Sequence, residues 1–249
     1  MEKTKHEAVV LRSVKYSEHD KILTLLTKDA GKMSVMAKGV QSPKSRYLAS
    51  SQIYAVSEYI LSSSPKGGMP YVVSAELIDG FSALSKNIVN MACAGCLTET
   101  ADMFLIEKQE EGTAYRLLTY ALKLLSISDE SRALMVTLSC MLKFLGIYGA
   151  APGLSLCTVC SSVQERYFFD FEHGGIVCPD CEADASWVLS ADEAQYLNGL
   201  LKIDMRRLTD IVLIEDAQQF GFLKIINGYI SHIFKKSLKS FAMLSSLQK

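Results

Sequence analysis

Four cysteines constrain this chain more than any other feature. Cys157-Thr158-Val159-Cys160 is answered by Cys178-Pro179-Asp180-Cys181, a C-x2-C-x17-C-x2-C pattern. Each C-x-x-C turn aims two thiolates at one point, and two such turns supply the four sulfurs of a closed tetrahedral site. The spacing predicts one structural Zn2+ per chain, held by Cys157, Cys160, Cys178 and Cys181. With four protein ligands no coordination position is left for water or substrate, so the site organises a fold and performs no zinc chemistry. Between the pairs, Tyr167, Phe169 and Phe171 alternate with Arg166, Phe168 and Asp170, and His173-Gly174-Gly175 supplies a turn, the pattern of a short hairpin. His173 reads as an exposed hairpin residue rather than a ligand. Two disulfides or a redox dithiol are the alternatives. Nothing suggests export, and two pairs at matched spacing favour the metal.

The chain has 249 residues, 49% apolar and 21% charged, which suits one large domain or two smaller ones with a sizeable core. The start, Met1-Glu2-Lys3-Thr4-Lys5-His6-Glu7, is polar and runs into a strand-like segment, so no signal peptide is expected. No apolar run approaches the roughly 20 residues that span a bilayer. The expectation is a cytoplasmic protein without a membrane partner. The net charge is −1, but it is unevenly distributed. Residues 11–50 hold eight lysines and arginines against three acids, and residues 221–249 hold five lysines and no acid. Such patches can attract a polyanion, or can be solvated faces.

Residues 7–79 read as strands. Val9–Val14 and Ile22–Thr27 are runs of β-formers, and Asp29-Ala30-Gly31 is a turn. Lys32–Lys38 alternates, with Met33, Val35 and Ala37 on one side. Ile53–Leu61 is a fourth strand. Tyr71–Ile78 is a fifth, with Tyr71, Val73, Ala75 and Leu77 on one side, and Ser62–Gly68 is the loop between them. Five short strands with one longer connection after the third predict a small closed barrel of the oligonucleotide-binding (OB) type.

From residue 81 the period is helical. Val89, Cys93, Cys96, Thr100 and Met103 mark one helix; Tyr115, Leu118, Leu122 and Leu125 a second; Leu134, Leu138, Met141 and Leu145 a third. Cys93 and Cys96 form a further C-x-x-C, but on an apolar helix face they read as buried side chains, as does Cys140. Gly146 and Gly149 are expected to break the third helix. Ser190-Ala191-Asp192-Glu193 is a capping box opening a helix with Tyr196, Leu197 and Leu200. A last helix is expected from about Asp216 to Ser240, with Leu223, Ile226, Ile230, Ile233 and Phe234 as its apolar stripe and Lys224, Ser231 and Lys235 opposite. Gly221 and Gly228 should each weaken it by roughly 1 kcal/mol relative to alanine. His232 has no serine–carboxylate set beside it in sequence and reads as a packed or capping residue. The fold class is therefore α+β: an N-terminal five-stranded OB-type barrel at 1–79, then a C-terminal helical domain at 80–249 with the zinc element inserted at about 153–187.

The barrel segment resembles the N-terminal domain of the bacterial DNA repair family RecO. The matching residues are Val10-Leu11-Arg12, Tyr16-Ser17-Glu18, Asp20, Leu25-Leu26-Thr27, Gly31-Lys32, Ala37-Lys38-Gly39 and Lys44-Ser45. The order of barrel, helices, four-cysteine element and further helices is also that family's order. Tyr229-Ile230-Ser231-His232 and Leu238-Lys239-Ser240 are similar to its closing motif. Two stretches depart from the pattern: Val40, Gln41 and Ser42 dilute the basic connection after Gly39, and Phe234-Lys235-Lys236-Ser237 replaces a Gly-Arg-Pro-like turn.

The resemblance implies a recombination mediator rather than an enzyme. It implies binding to single- and double-stranded DNA, annealing of complementary strands, and work with RecR to load RecA on strands coated by single-stranded DNA-binding protein, whose C-terminal tail would be a contact. It implies no small-molecule substrate and a cytoplasmic, nucleoid-associated location. An OB barrel binds a strand with a cationic groove and aromatic platforms. The residues expected to do so are Arg12, Lys15, Tyr16, Lys32, Lys38, Lys44 and Arg46, with Tyr47 a second aromatic candidate. Lys32 and Lys38 are expected on one face of the third strand, and Lys21 and Lys28 as ordinary surface. The C-terminal lysines Lys235, Lys236 and Lys239 would form a second patch. A zinc-ribbon enzyme that modifies nucleic acid, and a scaffold that binds only proteins, are the competing readings.

Overall fold

The computed structural model describes residues 3–42, 44–63, 68–106, 112–181 and 187–247. Part of the expected Ser62–Gly68 loop, Lys249 and the stretch 182–186 of the zinc element lie outside the described residues. The chain divides into two compact units, Met1–Ile127 and Ser128–Lys249.

The first unit opens with β1 (Lys3–Lys15), β2 (Lys21–Thr27), β3 (Gly31–Ala37), β4 (Val56–Ser62) and β5 (Tyr71–Asp79). These close into a barrel in the order β1-β2-β3-β5-β4. All pairings are antiparallel except β3 with β5, which meet in parallel at Met36 and Tyr71. That is the OB connectivity. Closure rests on the length of β1. Lys3–Val9 pairs with β4, Ala8–Lys15 pairs with β2, and a register shift between Val10 and Arg12 bends the strand between the two tasks. Alternation places Val35 and Ala37 of β3 in the interior with Val10, Leu23, Leu25, Tyr59 and Leu61, and Met33 packs against them. In β5 the expected face is not kept. A second register shift leaves Val73 as the extra residue, so Val72 reaches the core in its place while Ala75 reaches it as expected. Leu77 stays 43% exposed.

Two helices, α1 (Ile88–Phe104) and α2 (Gly112–Ile127), pack on the barrel's exterior, α1 against β1 and α2 against β1 and β2. The change from strand to helix period at residue 80 is therefore not where the packing divides. These contacts explain why Val9, Leu11 and Leu26, which are not part of the interior cluster, are also buried. Cys93 and Cys96 are fully buried on α1, and Tyr115, Leu118, Leu122 and Leu125 are buried on α2. Tyr115 donates to Glu7 Oε1 at 2.9 Å.

The second unit is built around α3 (Glu130–Tyr148). Every residue from Ala133 to Leu142 is buried, so this helix is enclosed on all sides rather than striped. It meets the length and apolarity of a membrane span, contrary to the expectation that no run would. With 67% of that window inside the unit, it is a core helix. Gly146 continues the helix. Gly149, at φ +84°, ends it, with Ala150 N–H donating to Leu145 O at 2.8 Å in a Schellman closure.

A three-stranded sheet follows, β6 (Arg166–Asp170), β7 (Gly175–Val177) and β8 (Trp187–Ser190), in the order β7-β6-β8. β8 goes beyond the expected hairpin. Ser190 then caps α4 (Ala191–Lys202), and both bonds of the capping box are present. The long terminal helix is in fact two: α5 (Asp216–Phe234) and α6 (Lys239–Leu247). Lys235, at φ +52°, ends the first in the left-handed conformation, inside the stretch that departs from the related family's turn. The break lets Leu238, Phe241 and Leu244 be buried, with Phe241 stacked on Phe220 at 5.8 Å. Leu223, Ile226 and Ile230 form the buried stripe of α5, but Ser231, expected opposite, has a buried hydroxyl.

Candidate nucleic-acid interface and metal centre

The metal centre belongs to the second unit. The sulfurs of Cys157, Cys160, Cys178 and Cys181 all lie within 4.8 Å of one another. A tetrahedron with zinc–sulfur bonds of about 2.3 Å has edges of about 3.8 Å, and Cys160 Sγ is 3.7 Å from Cys178 Sγ. Two knuckles hold the ligands. Ser161 N–H donates to Cys157 O at 2.9 Å, with Ser161 at φ +61°, and Cys181 N–H donates to Cys178 O at 3.0 Å. Cys178 N–H points at Cys157 Sγ at 3.3 Å.

The knuckles are joined by backbone. Gly153 N–H donates to Gly174 O, Ile176 N–H to Gly153 O, both at 2.9 Å, and Thr158 N–H to Ile176 O at 2.8 Å. A Cβ on Gly175 would lie 2.3 Å from Gly153 O, so the segment through Gly153 can bridge to β7 here only because residue 175 is glycine.

The electrostatics fit a cation. Burial raises the Cys157 thiol, but the amides of Cys160, Cys178 and Val159 outweigh it and bring it down to about 6. Ser162 lowers Cys160, while hydrogen bonds with Cys160 and Cys178 push Cys181 up to about 12. Four crowded sulfurs cannot all ionise on their own; a soft divalent cation removes that conflict. His173 stands apart: its N–H donates to Asp170 Oδ1 at 2.8 Å, and its side chain is 43% exposed. Cys140 is fully buried, which raises its thiol well above the ordinary value. His232 lies 6.0 Å from the Phe171 ring and 3.7 Å from Glu172, a packed residue.

In the first unit the predicted cations separate into two groups. Register places Lys15 opposite Lys21 and Lys21 opposite Ala37, so Lys15, Lys21 and Lys38 lie at one end of three adjacent strands. Tyr16, in the β1–β2 turn at this end, is 63% exposed. Lys38 Nζ sits 5.4 Å from the centroid of Tyr71. Lys44 and Arg46 are exposed in the connection that follows, and Arg12 is exposed three residues before Lys15.

Lys32 is not in this group. It occupies the opposite end of β3, its side chain is 13% exposed, and its ammonium donates to Asp102 O at 2.6 Å and Asp102 Oδ1 at 3.2 Å. There it neutralises the carbonyl end of α1. The expectation that it joins Lys38 on a strand-binding face is corrected on that ground. Tyr47 is also taken up by the fold: its hydroxyl donates to Val73 O at 3.2 Å and its ring packs on the barrel core. Lys21 and Tyr71 are the additions, legible only once register sets Lys21 beside Lys15.

Elsewhere on the barrel Lys5 pairs with Glu58, Lys28 with Glu7 and Lys32 with Asp102, while Lys3 forms no ion pair among the described residues. Among the described residues, Arg12, Lys15, Lys21, Lys38, Lys44 and Arg46 form no ion pair. The acids at this end are Glu18, which is exposed, and Asp20, whose carboxylate is turned onto the backbone of Gly39.

Family comparisons agree along the chain. Residues 1–81 match the model of the recombination protein O N terminal domain, and residues 85–241 match that of the recombination protein O C terminal domain. The DNA repair protein RecO of Exiguobacterium sibiricum is 31% identical over 98% of this chain and 96% of its own length. Those of Caldanaerobacter subterraneus and Bacillus subtilis are 31% and 27% identical over 96% and 98% of this chain, and 97% and 95% of their own lengths. The chain belongs to the RecO family, with a role in DNA repair and recombination.

Proposed function

We propose that this chain is a recombination mediator that acts by binding and positioning DNA rather than by turning over a substrate. The barrel, residues 1–79, binds single- and double-stranded DNA through Arg12, Lys15, Tyr16, Lys38, Lys44 and Arg46, with Lys21 added. The observation that carries this reading is the cluster of cations that have no ion-pair partner among the described residues, at one barrel end beside an exposed tyrosine, where Lys5, Lys28 and Lys32 elsewhere on the barrel are paired. Phosphate contacts position a strand and carry no sequence information, which suits action anywhere on a chromosome. Tyr16 would add stacking on a base, sequence-tolerant and worth roughly 1–3 kcal/mol. Neutralised strands can then be brought together and annealed. With RecR, and through the tail of single-stranded DNA-binding protein, the chain would help load RecA in the cytoplasm. Cys157, Cys160, Cys178 and Cys181 would hold one structural zinc, which supplies the cross-link that defines the β6–β7 element.

Affinity for a labelled single strand across a salt series tests the DNA reading. Log affinity should fall with log salt at about 0.7 per phosphate neutralised. Lys38→Ala/Arg46→Ala should flatten the slope by about one to one and a half units. An unchanged slope moves the site elsewhere, first to Lys235, Lys236 and Lys239. No salt-sensitive binding by the native protein would favour a scaffold that binds only proteins.

A further inference from the structure

The cations of the proposed interface come from two separate connections. One is the β1–β2 turn, with Tyr16, flanked by Lys15 at the end of β1 and Lys21 at the start of β2; the other is the connection after β3, with Lys38, Lys44 and Arg46. The ladder already sets Lys15 opposite Lys21 and Lys21 opposite Ala37, next to Lys38, but Tyr16 in the turn and Lys44 and Arg46 in the connection lie outside the strands. A clasp joins them. Gly39 N–H donates to Asp20 Oδ1 at 2.7 Å. Gln41 N–H donates to His19 O at 2.9 Å, and Gln41 Nε2 to Asp20 O at 3.4 Å. Asp20 also closes its own turn: its carbonyl accepts from Tyr16 and Ser17 N–H at 2.9 and 3.2 Å, and its N–H donates to Ser17 Oγ at 3.2 Å. Gly39 presents its N–H from φ +64°, a conformation glycine adopts without strain.

We infer that Asp20 is the positioning residue of this interface, fixing the connection that carries Lys44 and Arg46 against the β1–β2 turn by holding Gly39, an inference that rests on the DNA-binding reading above. Its location makes the claim sharp. A carboxylate among lysines opposes phosphate by charge alone, so its removal should tighten DNA binding if charge is all that it contributes. A clasp predicts the reverse, because without it the turn and the connection beyond Gly39, with Lys44 and Arg46, must be ordered when the strand binds, and that ordering costs affinity. The carboxyl sits below its ordinary value, chiefly through the Gly39 amide and then the Ser17 side chain, so the charged acceptor form is the one present at neutral pH.

Two variants separate charge from geometry. Asp20→Asn removes the charge and keeps an oxygen able to accept from Gly39. Asp20→Ala removes both. Single-strand affinity over the salt series is measured on the full chain, together with hydrogen exchange at the Gly39 amide. The expected result is that Asp20→Asn binds as tightly as the native protein or more so. Asp20→Ala should bind about three- to tenfold more weakly than Asp20→Asn, with a slope shallower by about 0.7 for each phosphate it no longer neutralises. Gly39 exchange should rise in Asp20→Ala and stay slow in Asp20→Asn; equally slow exchange in Asp20→Ala overturns the clasp. Equal tightening in both variants would also overturn the inference, leaving Asp20 a charge and nothing more. Absence of salt-sensitive binding in the native protein would instead sink the DNA-binding reading itself, and the positioning role with it.

Discussion

Gly228 of α5 faces the ring of Phe171. A Cβ built on Gly228 would lie 2.8 Å from Phe171 Cζ and 3.2 Å from Cε2. Phe171 follows β6, and its ring also meets Phe169 at 5.8 Å and Tyr229 at 6.1 Å. The glycine is therefore the seat against which the aromatic edge of the zinc-bearing sheet rests on α5. Gly221, seven residues earlier in the same helix, has nothing within 4 Å of its notional Cβ.

The two glycines should respond oppositely to alanine. Gly221→Ala should stabilise by about 0.5–1 kcal/mol, the helix-propensity gain. Gly228→Ala should destabilise by about 1–3 kcal/mol, because overpacking against a ring held by two other aromatics exceeds that gain. Urea unfolding of both variants checks this. Adding Phe171→Leu to Gly228→Ala should restore much of the loss; no coupling between the two would mean the ring moves aside freely.

Lys32 separates structure from binding. Lys32→Ala strands the Asp102 carboxylate and a helix-end carbonyl, and should cost about 1.5–3 kcal/mol, the range for hydrogen bonds to charged groups. The salt dependence of DNA binding should not change, in contrast to Lys38→Ala/Arg46→Ala. A reduced slope in Lys32→Ala with stability intact would return Lys32 to the interface.

The four-cysteine centre should bind one zinc per chain by native mass spectrometry. Exhaustive chelation should raise hydrogen exchange across residues 153–181, since ligation at such sites contributes roughly 10–16 kcal/mol of apparent binding energy. Cys157→Ser or Cys178→Ser should lower solubility before it alters any DNA contact. A soluble, metal-free variant with a protected β6–β7 ladder would show that the sheet holds without the ion.

Glu193 gives the α4 cap a pH dependence. Burial raises its carboxyl, but the Ser190 amide and the Gln218 side chain, each at 2.8 Å, outweigh that and leave it below its ordinary value of 4.5. A carboxyl lowered in the folded state contributes stability that is complete above the unfolded value and is lost as pH falls through the folded one. The native protein should exceed Glu193→Ala by about 1 kcal/mol at pH 7, and the gap should narrow below about pH 4.5. Taking the difference cancels acid losses common to both proteins. A gap of equal size at pH 3.5 would show that the charge adds nothing to the cap.

The features legible in the sequence are those set by near neighbours. The cysteine spacing predicts a cluster, found within 4.8 Å, because each knuckle is a local turn. The Ser190–Glu193 box is three residues long and appears with both bonds. Alternation in β3 and the stripes of α1 and α2 follow from backbone period alone. Even the lysine that ends α5 falls in a stretch whose sequence departs from the related turn.

What the sequence could not hold was the identity of distant partners. Lys32 is equivalent to Lys38 by alternation, and only α1 brings Asp102, seventy positions away, under its ammonium. Lys21 reads as surface until register sets it beside Lys15. The inward face of β5 depends on a bulge at Val73 that only its pairing with β4 defines. Gly228 reads as a weak point in a helix, and Phe171 makes it a requirement. In each case the side chain's local preference is nearly neutral, so the decision falls to contacts that exist only after the chain has folded. Composition and spacing decided which elements form and where a metal can sit; tertiary packing decided which of several equivalent lysines is taken up by the fold and which stays without an ion pair among the described residues.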